Sequence, residues 1–223
     1  MLERLRGGLI VSVQAESGSL LNTPETIALL AGVAEHNGAV GVRIEGAARI
    51  AAVKRAVRIP VIGIVKRGYA GFAPYITATE REILEAADAG ADIIAFDATL
   101  RPRPDGASLC AVVARIAARG AVPMADCASA ADARAAVHAG APIVASTLHG
   151  YTDETRGAAL PGLDLVRALH ATGAFAICEG GVGLPEDVRA AFTAGADAVV
   201  VGTAITNVDV LVRRFVLATP KPT

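Results

Sequence analysis

At 223 residues, 53% hydrophobic and 19% charged, with a net charge of -1, the chain has the balance of a soluble globular protein with a sizeable core. The near-neutral charge, with no Lys/Arg-rich run, leaves no electrostatic footprint for nucleic acid, and no basic amphipathic stretch suggests a membrane surface. The composition therefore argues against large polyanionic partners.

The N-terminal MLERLRGGLIVSVQ passes from a short, charged, helix-like start into an apolar strand-like run, without the longer apolar stretch and small-residue cleavage site of a signal peptide. No window reaches the roughly 18 uninterrupted apolar residues of a membrane span. Cys110, Cys127 and Cys178 are odd in number and widely spaced, which indicates neither a disulfide framework nor a CxxC pair. A cytoplasmic protein is expected.

Along the chain one dipeptide recurs: Gly38-Ala39, Gly90-Ala91, Gly120-Ala121, Gly140-Ala141, Gly173-Ala174 and Gly195-Ala196. Each ends an alanine-rich, helix-periodic stretch and precedes a β-branched run, so each marks a helix-to-strand joint with glycine in the left-handed position past the helix. With strands added at 8–14 and 61–65, eight are expected: 8–14, 40–45, 61–65, 92–97, 121–125, 142–146, 174–179 and 198–202, with helices between them. Strands buried on both faces and alternating with helices imply right-handed βαβ units and a parallel sheet. Eight units predict one closed (β/α)8 TIM barrel over residues 1–223. An open doubly wound sheet uses the same units but would show a Gly-rich fingerprint after its first strand; here that strand runs into Val13-Gln14-Ala15-Glu16.

In a barrel the reactive groups stand where strands end. In order, the expected ends are Gln14, Arg43 with Glu45, Lys66, Asp97, Asp126, Thr147, Glu179 and Gly202-Thr203. The period of two puts Lys66, in IPVIGIVKR, on the face of Ile62 and Ile64; Glu179 follows Phe175 and Ile177, and Asp126 follows Val122 and Met124. All three should converge on the mouth, while Arg67 faces outward. The competing readings are a surface lysine snorkelling into water and a purely structural ion-pair network.

Phosphate binding in such barrels uses the loops after strands seven and eight. These read Glu179-Gly180-Gly181-Val182-Gly183 and Val201-Gly202-Thr203-Ala204. All three tyrosines fall in two loops: Tyr69 and Tyr75, beside Phe72, in RGYAGFAPYITAT, and Tyr151 after strand six. The first loop is long enough to be a lid, a pocket wall or a subunit contact. His36, His138 and His170 sit in last helical turns, and only His149 is expected at the mouth. No His–carboxylate cluster points to a metal. Cys127 and Cys178, next to inward acids, should face outward as small core residues.

At this point the sequence resembles the N-acetylmannosamine-6-phosphate 2-epimerase family of sialic acid catabolism. The resemblance covers nearly the whole chain, through GGLIVSVQ (7–14), VRIEG (42–46), VIGIVKR (61–67), ADIIAFDAT with RPRP (91–104), MADC (124–127), STLHGYT (146–152), ICEGG (177–181) and VGTAIT (201–206). It implies a phosphate-binding TIM barrel that interconverts N-acetylmannosamine 6-phosphate and N-acetylglucosamine 6-phosphate, without a redox step, a cofactor or a metal. It further implies that Lys66 transfers the proton with Glu179 as its carboxylate partner, and that Gln14, Arg43 and Asp126 surround the sugar. Arg43 would stabilise the oxyanion, Thr147 and Tyr151 would lie in the substrate loop, and Gly180, Gly181, Gly202 and Thr203 would hold the phosphate. A homodimer is implied as well.

Two departures remove positive charge beside that phosphate. Gly181-Val182-Gly183-Leu184-Pro185 stands where the family has a basic residue and an Asn-Thr-Pro turn, and Asn207 stands where it has an arginine. Two rival readings follow from other chemistry: a barrel lyase or aldolase with Lys66 as a Schiff base, and an amino-sugar-phosphate binder without turnover.

Overall fold

The computed structural model describes residues 1–220. Eight parallel strands close in chain order into a barrel: β1 Leu9–Val13, β2 Gly41–Glu45, β3 Val61–Ile64, β4 Ile93–Asp97, β5 Val122–Asp126, β6 Ile143–Ala145, β7 Phe175–Glu179 and β8 Ala198–Val201. The last closes on the first, with Val201 opposite Val11. Helices alternate with them: α1 Leu2–Leu5, α2 Pro24–His36, α3 Ala47–Ala56, α4 Glu80–Asp88, α5 Leu109–Ala118, α6 Ala130–His138, α7 Leu163–His170, α8 Pro185–Thr193, α9 Thr203–Thr206 and α10 Val208–Leu217. This is the TIM barrel expected from the repeat.

The helix-to-strand joints are the turns that the Gly-Ala repeat predicted. Gly195, at φ 99°, reverses the chain after α8, and Ala196 N–H donates to Ala191 at 3.0 Å. A side chain there would strike the His170 ring at 2.7 Å, so glycine answers both to conformation and to space.

The strands are buried on both faces, and alternation sorts their side chains into two cores. Ile10, Ile62, Ile64, Met124, Phe175 and Ile177 fill the barrel, while Val11, Val42, Ile44, Val61, Val65 and Ile94 face the helices. Gly63, the one break in the aliphatic run of IPVIGIVKR, faces out. A Cβ there would meet Ala91 at 2.6 Å and Ile50 at 3.0 Å, so the glycine lets α3 pack close against β3.

Several observed strands stop one or two residues short of the predicted ends. At β3 the mouth residues lie past the last residues that pair with a neighbouring strand. Lys66 is thus held by other means, an antiparallel bridge to Ile76. Arg67 N–H donates to Tyr75 at 2.9 Å and Thr77 N–H to Val65 at 2.8 Å, so the long loop after β3 folds back on its own start.

The α10 helix differs from the others. None of its residues is buried, and Phe215 and Leu217 are 77% and 83% exposed. It is tied to the loop after β1, where the Ser19 hydroxyl donates to Asp209 and Arg213 pairs with Glu16, both at 2.6 Å.

Candidate active site

The C-terminal ends of the strands enclose a cavity of about 830 Å³. Its wall includes Gln14, Arg43, Lys66, Thr147, Tyr151 and Glu179, six of the seven residues expected to handle a substrate's reacting part. The seventh, Asp126, has no exposed surface and lies below the wall.

Asp126 lies beneath because it is bound to Arg43. Arg43 Nη1 and Nη2 donate to the two Asp126 carboxylate oxygens at 3.0 and 2.6 Å, and Nη1 also donates to Glu179 Oε2 at 2.8 Å. Burial opposes the guanidinium charge, yet the two acids hold its pKa above the ordinary arginine value. Thr147 Oγ1 lies 2.7 Å from Asp126 Oδ1 and 3.2 Å from Glu179 Oε2, and its single proton serves one acid at a time.

Of the residues expected around the sugar, Arg43 lines the cavity with both terminal nitrogens donating to acids, and Asp126 lies beneath Arg43 and Thr147. Their geometry is that of a buried frame for Glu179, and Glu179 Oε1 has no partner among the described residues.

Burial pushes the Glu179 carboxyl up to about 7; Arg43 opposes this, and the Asp126 charge reinforces it. Lys66 moves the other way. Burial first, and then the neighbouring Arg43 charge, lower its pKa, against the pull of Glu45, Glu179 and Asp126. The Lys66 ammonium donates to Gln14 Oε1 at 2.7 Å, and Gln14 in turn donates to the Ser12 hydroxyl at 2.8 Å. Lys66 therefore has a neutral amide as its hydrogen-bond partner, and the carboxylate expected to pair with it is paired with Arg43 instead.

The glycine loops meet the same cavity. Gly180, Gly181, Gly202 and Thr203 all line it, with Gly180 and Gly181 at φ 103° and 72°. Among the described residues no acceptor takes the N–H groups of Gly180, Gly181, Gly202, Thr203 or Ala204. Further along the first loop, the amides of Gly183 and Leu184 are capped by the Asp187 carboxylate at 2.9 Å. A β-carbon on Gly181 would collide with Leu160.

Other sequence candidates fall outside the cavity. His149 packs under Gly162, its Nδ1 3.1 Å from the Ala128 carbonyl, and does not line the wall. In DATLRPRP, Asp97 accepts from Thr99 and from Arg101 at 2.8 Å, and Arg103 stacks on Phe96 while donating to the Asp97 carbonyl, so this motif staples its own loop. Arg67 faces outward to Glu82 and Glu85. Tyr69 donates to Glu82 at 2.7 Å, whereas Tyr75 lines the cavity, which makes the aromatic loop a pocket wall. Cys127 and Cys178 are buried among the outer core residues. Among the described residues no three His, Cys, Asp or Glu side chains are grouped to hold a metal.

A family model described as "Putative N-acetylmannosamine-6-phosphate epimerase" matches residues 27–221. The chain belongs to this family. A Synechococcus elongatus protein named "Putative N-acetylmannosamine-6-phosphate 2-epimerase" is 45% identical over 97% of this chain and 95% of its own length. An Enterobacter protein of the same name is 42% identical, covering 98% and 95%. The solved N-acetylmannosamine-6-phosphate 2-epimerase of Clostridium perfringens superposes with a TM-score of 0.93 at 34% identity, covering 98% of this chain and 96% of the other. A 3-hexulose-6-phosphate synthase, at 23% identity and a TM-score of 0.62, shares the fold alone.

For this member of the epimerase family, sequence reasoning missed several cavity residues. Ser12 positions Gln14, and its inward place was readable from the alternation Ile10, Ser12, Gln14. Arg49, from the first turn of α3, pairs with Glu45 at the end of β2 and lines the wall as well. Arg214 reaches the wall from α10, and no strand-end rule would find it.

Proposed function

We propose that the chain is a 2-epimerase that interconverts N-acetylmannosamine 6-phosphate and N-acetylglucosamine 6-phosphate. One observation carries the reading. Lys66 and Glu179 face one cavity with their pKa values moved toward neutrality from opposite sides, beside a set of unpaired backbone amides. Such a pair can take and give protons at neutral pH, and amides from two loops suit a phosphate. With only four residues in α9, the amides themselves matter more than a helix dipole.

Inversion at C2 requires a carbon-bound proton to leave, and that proton is acidic only when C1 is an open-chain aldehyde. Glu179 accepts the O1 proton and returns a proton to the ring oxygen as the C1–O5 bond breaks. Neutral Lys66 then takes the C2 proton, and the C–H electron pair becomes an enolate over C1 and C2. The ammonium that Lys66 becomes is the counter-charge to that enolate. Return of the proton to the other face of C2 gives the epimer, and ring closure reverses the first step. Arg43 and Asp126 act by holding Glu179 in place.

The test is proton NMR of N-acetylmannosamine 6-phosphate with the protein in deuterated water, which reads conversion and C2 exchange together. Both are expected; a protein that neither converts nor exchanges would end this reading. Borohydride trapping of a sugar on Lys66 would move the enzyme to the Schiff-base class.

The same reading takes residues 1–223 as one catalytic domain working in the cytoplasm, in keeping with three free thiols. It also takes the enzyme as a homodimer, supported by the apolar residues that α10 exposes.

A further inference from the structure

The charges on the cavity wall nearly all cancel. Its acids are Glu16, Glu45 and Glu179, and each has a guanidinium partner: Arg213, Arg49 and Arg43. Two cations on the wall have no acid partner among the described residues. One is Lys66, bonded to Gln14; the other is Arg214, which makes no hydrogen bond or ion pair to any described residue. The wall therefore carries an unmatched charge on the side where α10 meets the glycine loops.

Helix geometry explains how α10 delivers it. Asn207 caps the helix, its Oδ1 accepting from Val210 N–H at 3.1 Å, so this side chain is committed. Arg214 follows seven residues later, about two turns on and on nearly the same face. Long helical side chains lean toward the N-terminus, which carries the Arg214 head back along about 10 Å of helix toward Asn207 and Thr203. The neighbouring Arg213 lies about 100° around the helix and clasps Glu16, and Asp209 binds Ser19. These two ties hold α10 against the mouth, and they leave Arg214 free to meet a ligand.

We propose that Arg214 is the residue that selects a phosphorylated sugar, its guanidinium closing on a phosphoryl group seated on the amides of Gly180, Gly181, Gly202 and Thr203. The inference rests on the epimerase reading of the site and adds the source of its anion specificity. Arginine matches phosphate with two parallel N–H donors, and among the described residues no acid competes for them. Asn207 supplies no cation at its own position, and Arg214 supplies one from two turns further along the chain.

The experiment compares wild type, Arg214→Ala, Arg214→Lys and the double variant Arg214→Ala/Asn207→Arg. For Arg214→Ala, KM for N-acetylmannosamine 6-phosphate is expected to rise about 10- to 100-fold, the range of one charge-assisted hydrogen bond, with kcat held within about threefold. Inhibition by inorganic phosphate should weaken by the same factor, and slow turnover of unphosphorylated N-acetylmannosamine should not change. Arg214→Lys should fall between, and Asn207→Arg in the Ala background should recover most of the loss. An unchanged KM and phosphate inhibition overturn the proposal, as does a loss that strikes free and phosphorylated sugars alike. If wild type turns over neither sugar, the epimerase reading fails. Calorimetric titration with inorganic phosphate then decides on Arg214 by itself, with equal affinity in wild type and Arg214→Ala overturning the proposal.

Discussion

The two ends of the barrel are made by the same alternation of strand residues, yet they hold charge differently. At the N-terminal end Leu5 of α1 plugs the barrel, and a hollow of about 640 Å³ beside it is lined by Arg6, His170, Phe175 and Asp197. There Arg6 pairs with Asp197 and lies 5.1 Å over the Phe175 ring, and Lys54 pairs with Asp92 nearby at 2.7 Å. At the C-terminal end Arg43 is paired twice, while Lys66 and Arg214 have no acid partner among the described residues and Glu179 is raised to about 7. A barrel end built for stability matches its charges; a barrel end built for chemistry leaves some unmatched until substrate arrives.

The sharpest way to break this contrast is to remove Lys66. Lys66→Ala should lower turnover by about three orders of magnitude or more while leaving the thermal midpoint nearly unchanged. Wild-type rates of C2 exchange with deuterated solvent in that variant would refute its role. Next in size is the buried frame. Asp126→Asn should cost about 3–5 kcal/mol in urea unfolding, because it strips one partner from a fully buried Arg43. Arg6→Ala, at the solvent-exposed lower pair, should change stability little and leave kinetics alone.

The pH dependence separates the two ends further. Glu179 must start ionised and Lys66 neutral, so kcat/KM should rise with pH through both groups and fall more steeply below about 7, where Glu179 takes up its proton. Glu179→Gln should remove that limb. For stability the sign is opposite. The folded value is raised above the ordinary 4.5, so the contribution is full below that value and is lost as pH rises through about 7. Wild type should therefore lose stability relative to Glu179→Gln between pH 5 and 8, and a constant difference would refute the raised pKa.

A smaller effect than that of the buried frame concerns the strand that carries Lys66. Gly63→Val should cost about 1–3 kcal/mol by wedging β3 from Ile50 and Ala91, with a drop in kcat that follows from displacement of Lys66. A variant as stable and active as wild type would show that the close approach has no bearing on the site.

Most of the fold was legible because it depends on local periodicity. Six Gly-Ala joints and alternating aliphatic runs specify strands, helices and their order, and eight such units leave few ways to bury every strand on both faces. Alternation also placed Lys66, Arg43, Asp126 and Glu179 on the inner face. It could not say which touch the cavity, because Asp126 and Glu179 occupy equivalent strand ends and differ only in what lies above them.

By itself, then, the sequence determined the barrel, its mouth and the identity of the polar residues delivered there, since all three follow from spacing along one strand or helix. Only the tertiary structure decided their partners. Arg43 took both acids, Gln14 took Lys66, and Arg214 arrived from a helix that no strand pattern describes. Partnership depends on distances between segments far apart in the chain, and those distances exist only once the barrel has closed.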